Sequence, residues 1–329
     1  MTDPVAASQP HHQQALDALT GLRAVKAHAT GNDFVMFVDP DGQRPLNPEQ
    51  VSALCDRHLG IGGDGAIRAV PADQDADGRE LLSRWESEIA DSPAHEPGER
   101  IWFMDYHNGD GSIAEMCGNG VRAFAHLLVT QGWVELEQGE ELLILTRAGV
   151  RTMRKVPEGY AVGMGVWSFI DPELARTEAS DALVMAAGLE DPRPGLSISL
   201  GNPHTVVALP DDRALEQLDL AQAPTVDPAP GNGTNVEFVV PSEPLVDQGI
   251  GAVRMRVHER GVGETMSCGS GACAAAAAVR VWAAGDGVDT WDVGVPGGVV
   301  RVSFLARPDG AENVELSGPA EIVAHLTLA

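Results

Sequence analysis

Two stretches decide how this chain is read: HNGDGSIAEMCGNGVRAFA (residues 107–125) and HERGVGETMSCGSGACAAA (residues 258–276). In each, a histidine stands ten residues ahead of a cysteine: His107 before Cys117, His258 before Cys268. A polar residue stands nine ahead, Asn108 or Glu259. Each cysteine opens a Cys-Gly-x-Gly string, and small apolar residues follow. A second pair of strings agrees with the first: GNDFVMFV (31–38) and GNPHTVVA (201–208). Gly65 follows Asn32 by 33 residues, and Asn235 follows Asn202 by 33. Cys117 then follows Gly65 by 52 residues, whereas Cys268 follows Asn235 by 33. The chain therefore reads as an internal repeat. The surplus in the first half falls between residues 71 and 100, an acidic, proline-bearing stretch. It reads as a surface insertion with one short helix around Glu80 to Ile89.

Runs such as VMFV (35–38), RIWFMDY (100–106), LLILT (142–146) and VEFVV (236–240) are short and bounded by Gly, Pro or Asp. They read as antiparallel strands. After each Cys-Gly-x-Gly a helix is expected, from Val121 to about Gln131 and over residues 272–284. The second is small or apolar on nearly every side, which marks a buried helix. The expected fold class is α+β. It comprises two pseudo-symmetric lobes, each a curved, mainly antiparallel sheet around a central buried helix, with a cysteine at that helix's start.

Composition narrows the function classes. The chain has 329 residues and a formal net charge of −26, from 48 acidic and 22 basic residues. Such a surface repels phosphate backbones and anionic membranes, so no nucleic-acid or membrane partner is expected. No apolar run approaches the ~18 residues of a membrane span. Residues 1–20 are polar and are expected to form a disordered tail rather than a signal peptide, and the protein is expected in the cytoplasm. The cysteines Cys55, Cys117, Cys268 and Cys273 form neither a disulfide framework nor a zinc pattern. Lys26 and Lys155 are the only lysines, which leaves few candidates for a pyridoxal phosphate Schiff base.

A helix N-terminus offers unpaired N–H groups and a partial positive charge. It should favour thiolate over thiol and seat a carboxylate where glycines admit close backbone approach. Two such ends suit inversion at carbon: one sulfur removes an α-proton, and the other returns a proton from the opposite face. The N–H groups would stabilise the charge that develops on the carboxylate. His204 and Glu259 are the expected polar partners of the sulfurs.

With these residues in place, the sequence resembles the diaminopimelate epimerase family over most of residues 21–329. The motifs EMCGNGVR and ERGVGETMSCGSGAC carry the resemblance, with GNDF, HLGIGGDG, NGDGS, GNPH and GTNV in order between and around them. The resemblance implies interconversion of LL- and meso-diaminopimelate without metal or pyridoxal phosphate, in lysine and peptidoglycan synthesis. It implies a homodimer of two-lobed chains. The N-terminal lobe would span 21–158, with residues 319–329 returning to it, and the C-terminal lobe 159–318. Carried over residue by residue, Cys117 and Cys268 are proton acceptor and donor, and His204 and Glu259 tune them. Gly118, Asn119, Gly269 and Ser270 hold the reacting carboxylate. Asn32, Asn108, Asn202, Asn235, Glu259 and Arg260 read the substrate, including its distal end. One departure stands out. Many members carry a substrate-binding glutamine where this chain has Gly65, so that contact is expected to be absent or supplied by water.

Other readings of the same residues stand beside this one. Cys55 and Cys273 read as core thiols, and His107 and His258 as structural. Each asparagine beside a glycine could serve only a turn, and Arg260 only a solvated surface. A proline or hydroxyproline racemase of the same fold shares the thiol pair. A cysteine hydrolase needs cysteine, histidine and an orienting group in one site and leaves the second cysteine unexplained. A non-catalytic amino-acid-binding protein has two lobes but no need of paired thiols.

Overall fold

The computed structural model describes residues 4–96, 98–283 and 287–329. Residues 1–3 of the expected tail, Pro97 of the expected insertion and Ala284 at the end of the second expected helix lie outside them. The chain divides into two compact units, residues 1–162 with 319–329, and residues 163–318.

The first unit runs α1 (Pro4–Asp17), β1 (Arg23–Ala29), β2 (Asn32–Val38), α2 (Pro48–Cys55), β3 (Gly65–Pro71), α3 (Ala76–Arg84) and α4 (Glu86–Ala90). It continues with β4 (Trp102–Asn108), α5 (Gly118–Thr130), β5 (Glu141–Thr146), β6 (Gly149–Val156) and β7 (Gly159–Val166), within which the unit ends. The second unit holds β8 (Ser168–Phe169), α6 (Pro172–Thr177), β9 (Ala182–Met185), β10 (Arg193–Ser199), β11 (Pro203–Ala208), α7 (Asp212–Glu216) and β12 (Thr225–Asp227). Then come β13 (Asn235–Asp247), β14 (Ile250–Glu259), β15 (Gly263–Thr265), α8 (Gly269–Trp282), β16 (Thr290–Val295), β17 (Gly298–Ala306) and β18 (Glu312–Gly318). The last strand, β19 (Glu321–Thr327), belongs to the first unit and pairs antiparallel with β1.

The repeat seen in the sequence is a repeat of strand pairing. In the first unit β2 runs parallel to β3, with Phe34 opposite Gly65; β3 runs antiparallel to β4, with Gly65 opposite Asn108. In the second unit β11 runs parallel to β13, with His204 opposite Asn235, and β13 runs antiparallel to β14, with Val236 opposite His258. The next pairing is parallel in both, β4 with β5 and β14 with β16. Between β13 and β14 the chain turns tightly, Asp247 pairing with Ile250. Between β3 and β4 it instead makes α3 and α4, which accounts for the extra residues.

The strands of each unit pack around that unit's own helix. Helix α5 packs on β1, β2, β3, β6 and β19; α8 packs on β10, β11, β13, β14, β16, β17 and β18. Ala272 and Ala274 through Ala278 are fully buried in α8. Alanine suits this place because methyl groups let strands approach a helix from several sides, and it has the highest helix propensity.

Two expectations are corrected. The segment expected to be disordered is helical over Pro4–Asp17. Its following residues are anchored: Leu19 and Leu22, with Leu16 partly buried, pack with Ala24, Val35, Phe37 and Leu54. Gly21 N–H also donates to the Leu328 carbonyl. The leucines recur every three residues in an otherwise polar stretch, and burial of that one face orders the segment. The insertion is likewise more than surface. It holds two short helices meeting at Trp85, and Leu81 packs with Val70, Ala72, Phe103 and Leu145. Asp75 caps α3 by accepting from Gly78 N–H, and its other oxygen accepts from the buried Arg68. Arg68 also donates to Asp39 and Asp105, at 2.9 and 3.2 Å. No helix among the described residues is long and apolar enough to cross a membrane.

Candidate functional site

Cys117 and Cys268 occupy the same local position, the N-cap of a buried helix. Both have extended backbone, and each sulfur accepts from the N–H three residues on: Gly120 at 3.5 Å, Gly271 at 3.4 Å. The fourth residue of each Cys-Gly-x-Gly is glycine for a packing reason. A Cβ on Gly120 would lie 2.8 Å from Met104 Cε, and one on Gly271 would lie 2.7 Å from Glu237 Oε1. The helix start sits directly on the sheet, which is how a thiol reaches the end of the strands.

In the first unit the predicted residues gather around Cys117. Its S–H donates to Asn32 Oδ1 at 3.3 Å, and Asn119 Nδ2 approaches the same oxygen at 3.4 Å. Asn32 Nδ2 in turn donates to Asp64 at 2.6 Å. Fully buried Arg122 donates to Asn119 Oδ1 at 2.9 Å and to Thr30 Oγ1 at 3.2 Å. Gly118 is in the first turn of α5. Asn108 closes β4 opposite Gly65 and donates to Ser112 Oγ at 3.0 Å.

In the second unit the partners are of a different kind. His204 is fully buried, with Nδ1 2.7 Å from Glu237 Oε1 and Nε2 3.1 Å from Asn202 Oδ1. Asn202 Nδ2 donates to Ser270 Oγ at 3.4 Å, and Ser270 Oγ lies 3.7 Å from Cys268 Sγ. Glu259 hydrogen-bonds Cys268 and accepts from the Thr265 hydroxyl. Asn235 Oδ1 accepts from Arg260 N–H at 2.9 Å, and the Arg260 guanidinium donates to the Asn232 carbonyl at 2.6 Å. Gly269 and Ser270 form the first turn of α8.

The repeat thus superposes unlike chemistry on like geometry. Phe34, Ile67 and Asn108 in the first unit correspond in strand register to His204, Glu237 and Glu259 in the second. Five residues beyond each cysteine stand Arg122 and Cys273, both buried. Cys117 has amides beside it with a guanidinium behind them; Cys268 has two carboxyls near it, one of them bound to an imidazole. This corrects the expectation that both helix starts favour thiolate. Burial, then the charges of Glu259 and Glu237, push the Cys268 thiol well above its ordinary range, outweighing the Gly271 N–H and Ser270. Burial also raises the Glu259 carboxyl, against the opposing hydrogen bonds from Thr265 and Cys268.

Glu237 is the residue that motif reading missed. It is a fully buried carboxylate inside the apolar run VEFVV, and that single charged letter was the available signal. Other features are structural. Cys55 is buried with Val51 and Ala66, and burial pushes its thiol up to about 12. Cys273 is buried in α8. His107 hydrogen-bonds Asp105 at 3.0 Å, and His258 Nδ1 is 2.8 Å from the Leu220 carbonyl. Both lysines are engaged: Lys26 with Asp33 and the Gly62 carbonyl, Lys155 with the Leu136 carbonyl at 2.8 Å.

Comparison with known proteins agrees with this organisation. The family model for diaminopimelate epimerase matches residues 24–170 and 196–323. The diaminopimelate epimerase of Streptomyces coelicolor is 41% identical over 318 residues, covering 93% of this chain and 95% of that protein. That of Corynebacterium glutamicum is 40% identical over 308 residues, covering 91% and 95%. Solved structures share the fold at low identity. A phenazine biosynthesis protein of the PhzF family from Bacillus anthracis has a TM-score of 0.62 at 15% identity, over 94% of this chain and 99% of that one. A hydroxyproline epimerase from Agrobacterium vitis has a TM-score of 0.53 at 13% identity, over 93% and 92%. With the family's model matched in both units and its members aligned over nearly the full length, the chain belongs to the diaminopimelate epimerase family.

Proposed function

We propose that this protein epimerises LL-diaminopimelate to meso-diaminopimelate, with Cys117 and Cys268 exchanging protons with the same α-carbon. The observation that carries the reading is the duplicated thiol N-cap, one in each unit, in a chain of this family. Inversion needs an acid and a base together, and the two surroundings supply the difference. Glu259 and Glu237 favour the thiol at Cys268, which makes it the acid that is ready to deliver a proton. Cys117, once the S–H proton that it donates to Asn32 Oδ1 has been lost, is then the base that removes the α-proton, its thiolate held by the Gly120 N–H. After turnover the roles are exchanged, and the reverse reaction restores them. The first-turn N–H groups at Gly118–Asn119 and Gly269–Ser270 support the substrate carboxylate as charge flows into it. Asn108, Asn202, Asn235, Glu259 and Arg260 recognise the remaining polar groups; Arg260 is suited to a carboxylate because its fork pairs in two-point fashion. No metal or pyridoxal phosphate takes part in this scheme, and both lysines have structural partners.

The test is incubation with LL-diaminopimelate in heavy water, with no added cofactor. The expected result is meso product carrying deuterium at one α-carbon. Both Cys117→Ala and Cys268→Ala should abolish net epimerisation. No exchange by the wild type would reject the substrate, and full activity in either variant would reject the thiol pair. The same reading expects a cytoplasmic homodimer; sedimentation at the mass of a single 34.6 kDa chain would count against the dimer.

A further inference from the structure

The departure at Gly65 has a structural counterpart in the neighbouring strand. A Cβ built on Gly65 would lie 2.7 Å from Tyr106 Cε2, 3.4 Å from the Tyr106 hydroxyl oxygen and 2.5 Å from the His107 carbonyl. Side-chain space at residue 65 is therefore taken by the Tyr106 ring. Gly65 pairs with Asn108 and Ile67 with Tyr106, so the ring reaches diagonally along the sheet to the next pair. Residues 104, 106 and 108 share a strand face. That face looks onto α5, because Met104 and Ile67 both reach Gly120 in its first turn. Phe34 meets the ring edge-on, with centroids 5.9 Å apart at 84°, and fixes its direction. The hydroxyl is thereby carried toward the end of the sheet where Asn32, Asn108 and Cys117 are found. Tyr106 is 7% exposed, so its apolar body is packed.

We propose that Tyr106 is a specificity-determining residue, its hydroxyl hydrogen-bonding a polar amino-acid group of the substrate from above Gly65. A phenol can accept from an ammonium or donate to a carboxylate, so it can serve where a side chain at residue 65 would otherwise reach. The inference rests on the functional reading above and adds one contact to it. It replaces the expectation that this contact is absent or made by water.

The experiment measures epimerisation of LL-diaminopimelate by wild type, Tyr106→Phe, Gly65→Ala and the double variant, with thermal melts of each. Removing one neutral hydrogen bond should raise KM about three- to tenfold while kcat changes by less than about twofold. Gly65→Ala should displace the ring and raise KM in the same way. In the Tyr106→Phe background it should add little further, because the contact is already gone. A ring that merely fills space predicts a different pattern: KM unchanged in Tyr106→Phe and Gly65→Ala additive in the double variant. Either result would overturn the proposal. Should Tyr106→Phe not fold, an unchanged KM in folded Gly65→Ala would do so alone. Inactivity of the wild type toward LL-diaminopimelate would instead defeat the functional reading, and this inference with it.

Discussion

Glu237→Gln isolates the electrostatics that separate the two thiols. Glutamine keeps the shape and the contact with His204 but removes the charge. Glu237 Oε1 lies 2.7 Å, and Cys268 Sγ 3.3 Å, from the point where a Gly271 Cβ would be, so the two atoms are at most about 6 Å apart. At an effective dielectric of about 20, two unit charges at about 6 Å repel by about 3 kcal/mol. His204, hydrogen-bonded to the same carboxylate, offsets part of this, so the Cys268 thiol is expected to fall toward its ordinary range. The direction follows from the sign: a nearby anion penalises thiolate, and its removal lets the thiol ionise at lower pH. The assay is the rate of iodoacetamide alkylation at Cys268 against pH, read by peptide mass spectrometry in a Cys117→Ala background. The onset should move to lower pH in the Glu237→Gln protein. An unmoved onset would refute the reasoning, because it would mean that the His204–Glu237 pair acts on the sulfur as a neutral unit. The epimerase itself should lose rate in Glu237→Gln, since an acid that ionises too early no longer holds the proton it must deliver.

Two further substitutions test other parts of the framework. Gly271→Ala should cost about 1–3 kcal/mol in urea unfolding, because the new methyl meets a carboxylate pinned by His204. Gly120→Ala should cost less, since it meets the flexible end of Met104; equal losses would show that the pinned carboxylate is not what sets the cost. Arg68→Met should destabilise by about 3–5 kcal/mol, because Asp39, Asp75 and Asp105 lose a shared buried cation. Limited proteolysis should then cut first within residues 71–100, which Asp75 ties to the strands; an unchanged cleavage pattern would deny Arg68 that role.

Much of this protein is legible in one dimension because the repeat writes local rules twice. Cys-Gly-x-Gly before a small-residue run specifies an N-cap, a close approach and a buried helix. Each of those depends on neighbours within a few residues. The strand runs around the asparagines are legible for the same reason. Segments whose order comes from distant partners are not. Residues 4–22 look unstructured until Leu16, Leu19 and Leu22 find Phe37 and Leu54. The insertion looks like surface until Asp75 finds Arg68 and Leu81 finds Phe103.

The sequence alone determined the doubled architecture, the two thiols and the family, because those reside in residue types at fixed short spacings. It presented the two cysteines as equivalents, and only the tertiary structure separated them. Strand register sets Glu237, with His204 bound to it, and Glu259 near one sulfur, and Asn32 and Asn119, with Arg122 behind, near the other. Charge acts through space, so the character of a thiol is decided by residues that pairing brings near it, Glu237 among them from tens of positions away along the chain. The same holds for Gly65, where an apparent loss in the sequence is filled by a ring from the adjacent strand.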